Sequence, residues 1–260
     1  MAILLKGGAI FLHIPKTGGS WVTRILQEMD LIEGRIGHMH ADADRIMNAY
    51  RFGSVKAHAG HLIKRKIQKK IRRFTQASEL PAKPFMFCFV RHPLSWYESW
   101  FKYQSLKWNW RTWGNELNPD DWHPLSMLNG LGSDSFTGFM TNILKKRPGF
   151  VTELFGSYTK PNIVDFVGHQ ENLGENLIQV LTSLGLPHDP SVIRNMPPVN
   201  VSTEATLKIH WESELRAEVE RLEHAAMVRY GHQTPISLAI TAESRPPFCA
   251  KITSGKAPNH

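Results

Sequence analysis

The sequence predicts an α/β fold, a three-layer arrangement in which a mostly parallel sheet is flanked by helices. Three observations predict it. An apolar run at 10–14 passes through a glycine-containing loop into a segment with helical spacing. A second run, PFMFCFV at 84–90, also leads directly into a helical segment. A third, NIVDFV at 162–167, does the same. Strands alternating with helices imply a parallel sheet covered on both faces. Ligands in such folds bind beyond the carboxyl ends of the strands.

The elements follow in order. Ile10, Phe11, Leu12 and Ile14 suit a buried strand, which His13 interrupts and Pro15 ends, because proline cannot donate to a ladder. The apolar part of the opening MAILLKGGAIFLHIPK is assigned to this first strand rather than to a leader segment. Gly18 and Gly19 permit unusual dihedrals and close approach of a ligand to the backbone. Helical spacing then puts Val22, Ile25, Leu26 and Met29 on one face. RFGSVKAH at 51–58 is a weaker strand. At 64–73, seven of ten residues are Lys or Arg, with Ile63, Ile67 and Ile71 recurring every four. That pattern is an amphipathic helix with a basic outer face. A helix is expected over 93–107, then a loop at 108–124 rich in Trp, Asn and Pro. Two helices are expected over 125–158, broken near Gly149. Residues 172–184 form a helix stopped by Gly185. Residues 186–202, with four prolines, are irregular, and 203–230 is helical. Residues 1–235 form a single domain, and 236–260 a flexible extension.

Composition bounds the function. The 260 residues are 42% hydrophobic and 21% charged, ordinary for a globular chain. No apolar run approaches the roughly 20 residues that span a bilayer. A cytoplasmic protein is therefore expected. Of two cysteines, Cys88 lies in an apolar strand and Cys249 in a Pro-rich tail. A structural disulfide is not expected, and the usage fits a reducing compartment. The net charge of +8 favours an anionic partner without naming it.

Three segments carry chemistry. In the first, the N–H groups of Thr17 to Trp21 stand at a helix N-terminus, which binds anions through free donors and the helix dipole. Lys16 adds charge, and Thr17 and Ser20 add hydroxyls. The usual triphosphate loop, G-x-x-x-x-G-K-[ST], places lysine after the glycines. Here lysine precedes them. In the second, Arg91 ends a strand just before Pro93, and Ser99 follows eight residues later, about two helical turns in. Arginine grips a phosphate bidentately, with serine as an auxiliary donor. In the third, Lys56 and His58 lie two apart on a strand and point to one side. Histidine has a suitable pKa for a general base. His61 is a rival base, and Glu33 and Glu98 are further candidates. The pairs His38-x-His40 and His58-x-x-His61 lack a carboxylate or cysteine partner at convincing spacing, so no metal site is expected.

The order P-K-T-G-G-S-W at 15–21 resembles the 5′-phosphosulfate loop of sulfotransferases that use 3′-phosphoadenosine-5′-phosphosulfate (PAPS). Arg91 and Ser99 resemble that family's 3′-phosphate site, and Lys56-Ala57-His58 its K-T-H segment. Residues 167–173, VGHQENL, are similar to its I-G-x-x-E-N-L strand end, and Asn200-Val201-Ser202 to its N-x-S segment. The resemblance spans about residues 8–230. The chain lacks the family's C-terminal Arg-Lys-Gly triplet, which points to the carbohydrate-type or bacterial branch.

The resemblance implies a P-loop NTPase-like sulfotransferase fold. It also implies in-line transfer of a sulfuryl group from PAPS to a hydroxyl of a carbohydrate or small molecule, leaving 3′-phosphoadenosine-5′-phosphate (PAP). His58, Lys16 and Lys56 would be catalytic. Lys16, Thr17, Gly18, Gly19, Ser20, Trp21, Arg91 and Ser99 would bind the donor, Trp21 by stacking on adenine. No metal and no nucleic acid are expected. Trp108, Trp110 and Trp113 are candidates for an acceptor lid. Two alternatives remain: a P-loop kinase or NTPase using ATP with Mg²⁺, and a non-catalytic polyanion-binding module using the 64–73 helix.

Overall fold

The computed structural model describes residues 2–38, 40–51, 55–57, 83–107, 123–199 and 209–232. Its centre is a sheet of five strands with a three-residue sixth at one edge, in the order β4-β3-β1-β2-β5-β6. The strands are β1 (Ala2–Leu5), β2 (Ile10–Leu12), β3 (Ile32–Ile36), β4 (Val55–Ala57), β5 (Met86–Val90) and β6 (Phe166–His169). β2 pairs parallel with β5, and β5 with β6. The other three pairings, β1–β2, β1–β3 and β3–β4, are antiparallel.

The sheet is therefore mixed, which corrects the expectation of a mostly parallel one. The cause is local. Gly7 and Gly8 both take positive φ, 88° and 86°, and Gly8 N–H donates to the Leu5 carbonyl. This turn folds AILL back on IFL as a hairpin, where the sequence suggested one strand. β3 escaped the sequence reading because it is five residues long with Gly34 at its centre, which leaves only Ile32 and Ile36 as buried apolar side chains.

Alternation along the strands builds three layers. Ile3, Leu5, Phe11, Phe87 and Phe89 face α1 (Gly19–Glu28) and α6 (Leu173–Ser183), with Ile193 of the short α7 (Pro190–Asn195). Leu4, Ile10, Leu12, Met86, Cys88 and Val90 face the opposite layer. That layer holds α2 (Ala43–Arg51), α3 (Pro93–Lys107), α4 (Phe136–Lys146) and α5 (Phe150–Tyr158). It is completed by α8 (Ser213–Leu222) and α9 (His224–Arg229).

The expected helix over 93–107 is found, and Gly149 caps α5 with a φ of 72°. Of the helix expected over 203–230, residues 209–212 are described and not helical, and the rest forms α8 and α9, parted at Glu223. α7 falls in the stretch expected to be irregular. β6 starts four residues later than the expected strand, because Pro161–Ile163 forms a turn, closed on the Lys160 carbonyl, and the Asp165 carboxylate accepts from Met86 N–H at 2.9 Å. The basic 64–73 helix lies outside the described residues. So do His58, His61, the three loop tryptophans and the 236–260 extension.

Candidate active site

The loop 13–18 runs from β2 into α1. Its backbone is forced into unusual shapes: Lys16 takes φ 67° and Gly18 φ 83°. A non-glycine residue in the left-handed region costs energy and is held there by its surroundings. Here the holders are visible. Trp96 Nε1–H of α3 donates to the Pro15 carbonyl at 2.9 Å. The Lys16 ammonium lies 4.2 Å from the centroid of the Tyr103 ring, also on α3. Thr17 is buried, and its hydroxyl donates to the Ile14 carbonyl at 3.0 Å. That hydroxyl closes the loop instead of facing a ligand. Ser20 is exposed on the first turn of α1.

The two glycines are demanded by protein neighbours. A Cβ on Gly18 would come 2.5 Å from Leu173 Cδ2, and one on Gly19 2.0 Å from the His13 ring. The amides of Gly19 and Ser20 precede any intrahelical acceptor. Those of Trp21 and Val22 donate to the Gly18 carbonyl, so Trp21 is not the free donor the sequence suggested. Its indole N–H is also engaged, donating to the Met196 carbonyl at 3.3 Å.

Arg91 arrives from the next parallel strand. Leu12 and Cys88 are register partners, and β5 runs two residues further, to Val90, before Arg91. Arg91 Nη1–H donates to the Lys16 carbonyl at 3.4 Å. Its Nε is buried with no hydrogen-bond partner among the described residues, and burial lowers the guanidinium's pKa against the opposing pull of Glu171 and Glu98. Ser99 is half-buried on α3, three residues after Trp96 and four before Tyr103. That spacing sets it on the helix face that holds the loop.

Of the third expected segment only Val55–Ala57 is described, and this strand lies away from the loop. β4 is antiparallel to β3, β3 to β1, and β1 to β2. β4 therefore runs opposite to β2, three strand spacings or about 14 Å along the sheet. From Val55 to Ala57 the backbone therefore runs away from the edge where the loop sits. This corrects the expected convergence: one rule, carboxyl ends together, fails once the sheet is mixed.

Histidines that the sequence did not assign do reach the loop. His13, His40 and His123 stack edge to face, with centroids 5.0 Å and 4.9 Å apart. β3 ends on the loop's edge and delivers His40. His40 Nδ1 meets the His13 carbonyl at 3.3 Å. A carbonyl only accepts, so the proton is on Nδ1 and the lone pair on Nε2. The Tyr158 hydroxyl donates to the His40 carbonyl. His123 Nδ1 accepts from Leu125 N–H at 3.1 Å, which puts its proton on Nε2. Burial pushes His13 and His123 down to about 4, and His40, with His13 and His123 adding to the effect, down to about 2. No sequence signal gathers these three, because they come from separate segments.

Among the described residues no helix is long and apolar enough to cross a membrane. Comparison with family models, curated proteins and solved structures gave no match.

Proposed function

We propose that the chain is a PAPS-dependent sulfotransferase that moves a sulfuryl group to a hydroxyl of a carbohydrate or small-molecule acceptor. The observation that carries the reading is Arg91. Its guanidinium is drawn against the backbone of the PKTGG loop from the adjacent parallel strand, with a buried Nε that no group among the described residues satisfies. A buried cation beside a helix N-terminus suits an anion with two separate phosphate-type groups. The loop with Lys16 would take the 5′ group, and Arg91 with Ser99 the 3′-phosphate.

The donor supplies the activated sulfuryl group; the chain positions it. Lys16 and the first-turn amides of Gly19 and Ser20 offset the charge that gathers on the leaving phosphate, a preorganised electrostatic contribution. A histidine takes the acceptor's proton. The sequence nominates His58, outside the described residues. Among the described residues His40 is the rival, because its Nδ1 meets the His13 carbonyl of the loop, although burial makes it a weak base.

Calorimetry separates this reading from its rivals. PAP is expected to bind without metal and more tightly than ATP with Mg²⁺. Preference for ATP with Mg²⁺ supports a P-loop kinase or NTPase. Steeply salt-dependent polyanion binding with no nucleotide binding supports the polyanion module.

A further inference from the structure

At the carboxyl end of β6, His169 and Glu171 meet His232, which follows α9. One ligand atom from each lies within 4.8 Å of the others. We propose that these three side chains form a binding site for a zinc-class divalent transition metal, with a fourth position open to a small ligand. This rests on their own geometry and not on the sulfotransferase reading.

Four observations support it. His232 Nε2 is buried with no hydrogen-bond partner among the described residues, a costly state for an imidazole nitrogen that a metal would relieve. Two imidazoles and one carboxylate are a donor set that zinc takes in open, three-ligand sites. The Glu171 carboxylate is held from behind, as outer partners hold metal ligands. Glu171 Oε1 accepts from His92 N–H at 2.8 Å, which leaves Oε2 for the ion. The backbone N–H of His169 donates to Asn176 Oδ1 at 2.6 Å and that of His232 to the Met227 carbonyl at 2.9 Å, which fixes the main chain carrying the two imidazoles.

Donors on a tetrahedral zinc with bonds of about 2.0–2.1 Å stand about 3.3 Å apart. The three side chains therefore need to close by no more than about 1.5 Å, within reach of small χ rotations on two imidazoles and a glutamate. The site was invisible in sequence, since His232 lies 61 residues after Glu171. It departs from the metal-free expectation. The ion would sit beside Arg91, whose guanidinium already interacts with Glu171, and would add a second cation to the same edge of the sheet.

The test is a cobalt(II) and zinc(II) titration of untagged, chelator-treated full-length protein, without nucleotide. One equivalent is expected, with the intense visible absorption of tetrahedral cobalt. His169→Ala and His232→Ala should each weaken binding at least about tenfold. Glu171→Gln, which keeps an acceptor for the His92 amide, should weaken it too while leaving the circular dichroism spectrum unchanged. His123→Ala, in the other histidine cluster, should bind as the parent does. Absence of stoichiometric binding overturns the proposal. So does full binding in a folded Glu171→Gln/His169→Ala double variant, or loss of binding only in His123→Ala.

Discussion

Gly19 has no room for a methyl group, because its Cβ would fall 2.0 Å from the His13 imidazole. Gly19→Ala must push that ring off the loop. It should cost about 1–3 kcal/mol in chemical denaturation, as overpacking does. The same substitution should weaken PAP binding, since the loop cannot keep its shape. Arg91 has the opposite character: it contributes a buried cation with an unsatisfied Nε, so its loss should be felt in binding more than in folding. His40 carries the clearest disagreement between sequence and structure. Slow hydrolysis of PAPS to PAP, with water as acceptor, compares the two bases directly. His40→Ala is expected to lose about 100-fold in rate, the lower end for general-base catalysis, because burial keeps His40 a weak base. A larger loss in His58→Ala, with His40→Ala near normal, would return the role to His58.

Among the elements, α5 shows how one side chain ties layers together. Glu223, 1% exposed, stands at the break between α8 and α9. Its carboxylate accepts from Val151 N–H at 3.1 Å and Thr152 N–H at 2.7 Å, both in the first turn of α5. It also accepts from the Thr152 hydroxyl and from Tyr97 Oη–H, each at 2.6 Å. A carboxylate from elsewhere in the chain thus does the work of a helix N-cap, where Gly149 offers no side chain. Glu223→Ala would strand the buried Tyr97 hydroxyl and two amides. It should destabilise the fold by about 3–5 kcal/mol, measured by urea unfolding. Tyr97→Phe, which removes one of four donors, should cost about 1 kcal/mol.

Across the whole molecule, acid should loosen the fold. His13 and His123 have folded-state pKa values near 4 against 6.5 when free, because burial penalises the imidazolium. Between those values the unfolded chain binds more protons, so stability rises with pH. The contribution is complete above about 6.5 and lost as pH falls toward 4, at up to about 1.4 kcal/mol per pH unit for each such histidine. Thermal melts from pH 7.5 to 4.5 should show this slope, and His123→Asn should flatten it.

What the sequence revealed follows the range of each signal. β5 and α3 were legible because FMFCFV is an unbroken apolar run and Pro93 marks the helix start. The loop and Arg91 were legible because each lies at a strand end that its own residues define. The hairpin of β1 and β2 was not, since two apolar runs around Gly7 and Gly8 read as one strand. Nothing local specifies that β3 and β4 add antiparallel, yet that pairing direction decides where Lys56 goes. Both histidine clusters join segments far apart in the chain, so only the fold brings them together.

The central claim is that Arg91 reads a 3′-phosphate beside the loop. Calorimetric titration of the parent and Arg91→Ala with PAP and with 5′-AMP, which lacks that phosphate, tests it most directly. The account predicts that the parent prefers PAP by about 100-fold, the worth of a charge-assisted grip. Arg91→Ala should lose most of that preference and keep its weaker affinity for 5′-AMP. Equal binding of the two nucleotides by the parent, or an undiminished preference in Arg91→Ala, would contradict it.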